Sequence, residues 1–386
     1  MKKTLRAALG AALLLVSTVA PAQSKPKPTA VPAPKAAATA VPTPAPAITV
    51  ATPAAGPADA RTAPVEELRL RHRSDDPYEY ERHGVAATQA GDLARARQLF
   101  QMSWDVAELP TAAFNLACLD VREGKADAAF RHLEQAVGVG LDDEKLLLTD
   151  TDLAPVRNDP RFGGIVATAR KNRSEGDGAV VKEAIFVAPA GPSRAILVLL
   201  HDASSDPLTV SGPFTDAARS RGLFVAAPRG PARAGRKRFG WGSADRTLAA
   251  VEAVVAEARK RAGSLPVVLV GLGRGGALAF TVATRNPSGV VAVGSVGGPF
   301  DPSTVTAAPG APSPAASLKR MRLFLGIQSE APPTVLSAFR QGRDLLGQGG
   351  LKPVYKEWPG TGTGLPAASS AAVKEVLDAL TGPGPA

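Results

Sequence analysis

From Ala184 onward, short β-branched runs alternate with longer helix-like stretches, and this alternation constrains the fold more than any other feature. The runs Ala184 to Val187, Ala195 to Leu200, Leu223 to Ala227, Val267 to Val270, Val290 to Val293, Leu323 to Ile327 and Lys352 to Glu357 read as strands. The stretches Phe214 to Arg221, Asp245 to Ala262, Gly275 to Arg285, Thr334 to Leu346 and Ala371 to Leu380 read as helices. Such a pattern predicts an α/β, doubly wound, mostly parallel sheet across residues 179–382.

The chain ahead of this region divides into three. Residues 1–22 have a basic start (Lys2, Lys3, Arg6), an apolar stretch and the small-x-small site Ala20-Pro21-Ala22, which is the pattern of a secretory signal peptide. The expected product is an exported protein, periplasmic or extracellular, with no membrane span once the signal is removed. Residues 23–76 are dominated by Ala, Pro, Thr and Val with no periodicity that would bury a face, so a disordered, extended spacer is expected. A single cysteine, Cys118, excludes an intramolecular disulfide; set among "FNLACLDV" at helical spacing, it reads as a buried thiol.

Residues 77–172 hold two similar units, "YERHGVAATQAGDLARARQLFQMSWDVA" and "FNLACLDVREGKADAAFRHLEQAVGVG", with turns at Gly91 and Gly124. Ala96 and Ala129, then Phe100 and Leu133, follow those turns: small residues permit close helix contact and bulky ones fill the gap between units. The period is close to the ~34 residues of tetratricopeptide repeats, which this all-α stretch resembles. That resemblance implies a face for a protein or peptide partner. The segment from Leu141 to Lys171 supplies a closing helical pair, with Asp142, Asp143, Asp150, Asp152 and Asp159 read as helix N-caps in the absence of calcium-loop spacing. Asn172 to Gly178 reads as a polar linker.

The stretch "GLGRGG", Gly271 to Gly276, matches both a dinucleotide fingerprint and a hydrolase nucleophile elbow. A dinucleotide fold places its glycines after the first strand, with an acid about 20 residues on. Here several strands precede Gly271 and no acid ends the next one, so neither a nicotinamide nor any other cofactor is expected, and no metal. "ILVLLHDASSDP", "APRGPARAGRKRFGW" and "GLGRGGALAF" follow one another in the order of the carboxylesterase/phospholipase branch of the α/β-hydrolases, which the region resembles. The resemblance places Gly273 at the nucleophile, Ser329 or Glu330 at the acid, of which only Glu330 could serve, and Thr363 at the base, and puts His201 and Asp202 in the oxyanion loop.

Glycine supplies no nucleophile. The four histidines are His72, His83, His132 and His201, so none follows the elbow and a triad in the family's order has no base. A carboxylate at Asp202 would repel a developing oxyanion. The leading expectation is therefore a non-catalytic, pseudo-esterase protein that acts as a binding or scaffolding module. The alternative is an active serine esterase with a relocated nucleophile among Ser204, Ser205, Ser243 and Ser295, served by His201. Backbone donors at Gly273, Arg274 and Gly275, helped by Arg236 and Arg238 of a basic loop that also holds Arg229 and Arg233, form a candidate site for a small anion. The net charge of +10 is mostly scattered arginine and aromatics are 5 % of residues, so nucleic acid is not an expected partner.

Overall fold

The runs read as central strands are apolar along almost their whole length because both faces of the sheet are covered there, whereas the edge run Lys352 to Glu357 is mixed. In the computed structural model, which describes residues 77–235, 237–285, 289–298, 315–367 and 369–382, β2 (Ala195–Leu200), β3 (Leu223–Ala227) and most of β6 (Val267–Leu272) are fully buried. They join β1 (Ile185–Val187), β7 (Val290–Val296), β8 (Arg322–Gln328) and β9 (Val354–Trp358) in one sheet of order β1-β3-β2-β6-β7-β8-β9. All neighbours are parallel except β1 with β3. A small antiparallel pair, β4 (Ala232–Arg233) with β5 (Phe239–Gly240), projects from the loop after β3. The expected doubly wound, mostly parallel sheet is thus present.

Among the described residues, seven helices in chain order clothe the sheet or lead up to it: α6 (Phe162–Lys182), α7 (Pro207–Ser220), α8 (Ala244–Ala262), α9 (Arg274–Arg285), the single turn α10 (Ala315–Leu318), α11 (Pro333–Gln348) and α12 (Ser369–Thr381). Two apolar layers result. One packs Val254, Phe280 and Phe339 against Ile196, Val198 and Leu269; the other packs Phe214, Val373 and Leu377 against Leu197, Val225 and Val270. The side-chain period of two along each strand sends alternate residues to the two layers. Helix α7 starts at Pro207, ahead of the expected Phe214, because Asp206 accepts from Thr209 N–H at 2.9 Å and caps it.

Ahead of the sheet, α1 (Pro77–Gln89) and α2 (Leu93–Ala107) form one helical hairpin and α3 (Pro110–Arg122) and α4 (Ala126–Gly138) a second. Ala96, Ala129, Leu133 and Ala136 are fully buried where the hairpins pack. The expected closing pair is instead a short helix, α5 (Glu144–Thr149), a 3-10 segment (Thr151–Val156) and the long α6. Of the five aspartates, Asp143, Asp150 and Asp159 accept from backbone N–H groups. Asp142 and Asp152 serve otherwise, pairing with Arg246 and Arg122 at 2.6 and 2.7 Å.

Asn172 to Gly178 is no linker. Helix α6 runs through it, since its polar residues face partners: Asn172 donates to the Val137 and Leu141 carbonyls, and Asp177 pairs with Arg246 at 2.6 Å. Gly176 sits so close to the Pro231 carbonyl that a Cβ would overlap it. The helical hairpins and the sheet accordingly form one compact unit. The segments 1–22 and 23–76, read as signal peptide and spacer, lie outside the described residues. Among the described residues, no helix is long and apolar enough to cross a membrane.

Candidate functional site

Parallel register brings the distant motifs together. Leu200 of β2, Gly271 of β6 and Ser295 of β7 are aligned, so the chain segments just beyond them, at Asp202, Gly273 and Gly297, emerge side by side at the carboxyl end of the sheet. This is where ligands bind in open α/β sheets. Gly273 takes the tight turn from β6 into α9 with φ of +50°, in the left-handed region.

The Asp202 carboxylate fills the space above that turn. A Cβ at Gly273 would overlap all three carboxylate atoms, so no side chain fits there while Asp202 stays. One carboxylate oxygen, Oδ1, accepts from Arg274 N–H at 2.7 Å and from Ala203 N–H at 2.7 Å. Arg274 N–H opens a helix, where unpaired donors and the dipole favour negative charge. In the arrangement implied by the resemblance, the donors following the nucleophile and in the oxyanion loop would hold the oxyanion. Here the chain's own carboxylate holds that place, and the donors expected to face an outside anion face Asp202 instead.

The opposite side of the turn is packed by backbone. The Thr363 carbonyl occupies the position a Cβ on Gly297 would need, and the Gly273 carbonyl does the same at Gly298. Gly275 lies tight against the Leu200 and His201 carbonyls, a packing role within the strand-to-helix turn. The Thr363 loop is fixed by the buried Gln328 at the end of β8. Its amide donates to the Gly364 and Leu365 carbonyls at 3.0 and 3.2 Å and accepts from Gly362 N–H at 3.1 Å. Glu330 lies exposed in the turn after β8, its backbone N–H bonded to Gly360 O at 2.8 Å.

His201 is fully buried and both ring nitrogens are committed. Nε2 accepts from Gly230 N–H at 3.0 Å, which fixes the tautomer, and Nδ1–H donates to the Asp202 carbonyl at 2.7 Å. Trp241 stacks on the ring at 4.6 Å and donates its Nε1–H to the His201 carbonyl. Burial, the main cause, lowers the His201 pKa to about 4, leaving a neutral ring with no spare lone pair. Three of the four candidate serines are likewise engaged through Oγ. Ser204 Oγ donates to Ala234 O at 2.9 Å, Ser295 Oγ to Gly298 O at 2.8 Å, and Ser243 caps α8 through Arg246 N–H. Ser205 is bound to Phe239 through backbone at 2.8 Å. None is joined to His201 by a hydrogen bond.

A residue that the sequence reading missed completes the site. Tyr78, in the first turn of α1, is hydrogen-bonded to the Ser204 side chain and lies within electrostatic reach of Arg274 and Asp202. Burial first, then the neighbouring Glu81 carboxylate, push its hydroxyl well above the usual tyrosine range, so it stays neutral. The helical layer therefore reaches the mouth of the site. Nothing in the sequence around Tyr78 signals this, because its partners lie in another region of the chain.

The basic loop also meets the helices. Arg229 is buried over the Phe239 ring at 4.2 Å and 3.4 Å from Glu183. The Arg233 side chain packs on Gly140, and Arg238 donates to Ser204 O at 3.3 Å. Arg236 lies outside the described residues. The clamp is Arg246, buried in the first turn of α8: it pairs with Asp142 and Asp177 and donates to the Pro231 carbonyl at 3.1 Å. Burial, the larger effect, keeps Asp142 above the usual carboxylate range despite that arginine. A positive residue opposing a helix dipole was the available sequence signal.

Ligand-type atoms of Cys118, Asp150 and Asp152 lie within 4.8 Å of one another. Arg122 pairs with Asp152 and supplies the positive charge there, and burial followed by the two carboxylates raises the Cys118 thiol well above its ordinary value. The cluster fits a protonated thiol beside an ion pair better than a metal centre.

No family model matches the chain, and no curated protein matches it. Among solved structures, it is similar to an uncharacterized protein from Bacillus cereus, at 11% identity over 79% of this chain and 98% of that one, TM-score 0.41. It is also similar to esterase PE8, at 16% identity over 51% of this chain and 99% of that one, TM-score 0.44. Acyl-protein thioesterase 2 of Zea mays is similar at 13% identity over 51% of this chain and 97% of that one, TM-score 0.40. The assignment of a doubly wound sheet rests on the strand order and register.

Proposed function

We propose that this chain is an exported, non-catalytic protein, in which an α/β-hydrolase-like body carries tetratricopeptide-like hairpins and acts as a binding or scaffolding module. One observation supports the reading above the rest: the Asp202 carboxylate sits where a nucleophile side chain would stand, with its Oδ1 on the Arg274 and Ala203 donors. Acyl transfer needs that space for a nucleophile and those donors for a developing negative charge. Asp202 denies both, and His201 is held neutral with both nitrogens engaged.

The tetratricopeptide-like reading draws support from Gly84, where a Cβ would stand 2.6 Å from Cε1 of Phe100. That is the small-against-large contact the repeat pattern calls for. A small anion at the old site would have to displace Asp202, so the partner we assign is a protein or peptide on the helical hairpins. Full-length mature protein incubated with short-chain p-nitrophenyl esters and thioesters is expected to show no turnover and no labelling by a serine-directed phosphonate. Labelling of one serine that abolishes turnover would refute the proposal. Export is tested separately, by N-terminal sequencing of protein secreted from the producing cell, expected to begin at Gln23.

A further inference from the structure

The parallel sheet has a second end, where the strands begin, and it is built differently from the site. Strands β2, β3, β6, β7, β8 and β9 run the same way, so their starts share one edge. Arg194 immediately precedes β2, and its backbone N–H bonds to Gly222 O, just ahead of β3. Lys319, Arg320 and Arg322 lead into β8, Lys352 stands two residues before β9, and Arg219 closes α7, which feeds β3. All six are exposed, and among the described residues none is ion-paired to a carboxylate. The acids near this edge are already used: Asp378 holds Arg221, and Glu257 holds Lys260 and Arg261.

A cation at a helix C-terminus answers the helix dipole, which accounts for Arg219. It does not account for Arg194, on a strand start, or for Lys319 and Arg320 after the single turn α10. The array is also wide. Arg194 and Lys352 belong to strands four spacings apart in the sheet, about 19 Å at ~4.8 Å each. Two of the few exposed large apolar side chains, Val291 and Val354, stand at the starts of β7 and β9, each 42% exposed. Among the described residues, no large aromatic side chain is exposed beside them for base stacking.

We propose that this end of the sheet docks on an anionic lipid bilayer surface. Unneutralised cations over a broad face are attracted by anionic headgroups, and aliphatic side chains among them leave water in the interface. A nucleic acid backbone would satisfy the cations and leave Val291 and Val354 in water. The helical hairpins contact the opposite, carboxyl end of the sheet through Tyr78. The inference does not depend on whether the hydrolase-like site is inactive.

The test is cosedimentation of the full mature chain with vesicles of equal parts phosphatidylglycerol and phosphatidylcholine, against pure phosphatidylcholine vesicles. Binding is expected only to the anionic vesicles and is expected to weaken as salt rises. Lys319→Glu/Arg320→Glu should reduce partitioning at least ~30-fold, since losing two cations at about 1 kcal/mol each, with 1.4 kcal/mol per tenfold, already gives nearly that and the new carboxylates are repelled as well. Arg131→Glu/Lys171→Glu, the same charge change on the helical layer, should reduce it several-fold less. Val354→Asn should weaken vesicle binding while binding of soluble heparin is unchanged. All the substituted residues are exposed, and unchanged melting temperatures verify the fold. Absence of vesicle binding, an equal loss with the control pair, or binding of a DNA duplex as tight as that of the vesicles overturns the proposal.

Discussion

Gly273→Ser introduces the residue type that a hydrolase elbow carries, and the geometry predicts that it damages this protein. The serine must adopt φ near +50°, a left-handed conformation costing an L-residue roughly 1–2 kcal/mol. Its Cβ also displaces the Asp202 carboxylate from the Arg274 and Ala203 donors. Hydrogen bonds to a charged group are worth about 1.5–3 kcal/mol; for a half-buried carboxylate exchanging protein donors for water, the pair contributes about 2 kcal/mol. The sum is about 3 kcal/mol, or a melting temperature lower by roughly 6–12 °C for a domain of this size. Asp202→Gly alone should cost about 2 kcal/mol. In the double variant the carboxylate has already gone, so adding the serine costs only its backbone strain and the two changes are coupled by about 2 kcal/mol. Thermal and urea denaturation of the four proteins measure the cycle. Losses that add to within about 0.5 kcal/mol would falsify the placement of Asp202 over the turn. The double variant should still show no esterase turnover, because no histidine follows the elbow.

Other consequences follow from the buried polar groups. His201 has a folded pKa of about 4 against an ordinary 6.5, so the unfolded chain binds the extra proton between those values; stability is full above pH 6.5 and falls by roughly 3 kcal/mol as pH drops through 4. In urea denaturation against pH, His201→Gln should flatten that slope. Arg246→Met leaves the buried Asp142 unpaired and should cost about 3 kcal/mol, with Asp142→Asn in the same chain recovering part of it in chemical denaturation. Gln328→Ala should leave the core intact but speed amide exchange at Gly362 roughly 5-fold or more, since one net hydrogen bond is worth about 1 kcal/mol.

The sequence alone determined the alternation of strands and helices that builds the sheet, and that no histidine follows Gly271. Strands β2, β3 and β6 are legible because burial on both faces demands unbroken apolar runs, and where the four histidines stand is a fact of sequence that no folding can change. The small-residue positions Ala96 and Ala129 were legible for a similar reason, since close helix contact excludes larger side chains. Asn172 to Gly178 misled because polar residues that serve buried partners look like polar residues that meet water. Only tertiary structure decided the site. That Asp202 lies over Gly273 depends on the register of β2 with β6, and that Tyr78 closes on Ser204 depends on how the helices dock on the sheet. Register and docking are set by packing among residues far apart in the chain, so the loop that looked open to an outside anion is filled by the protein's own carboxylate.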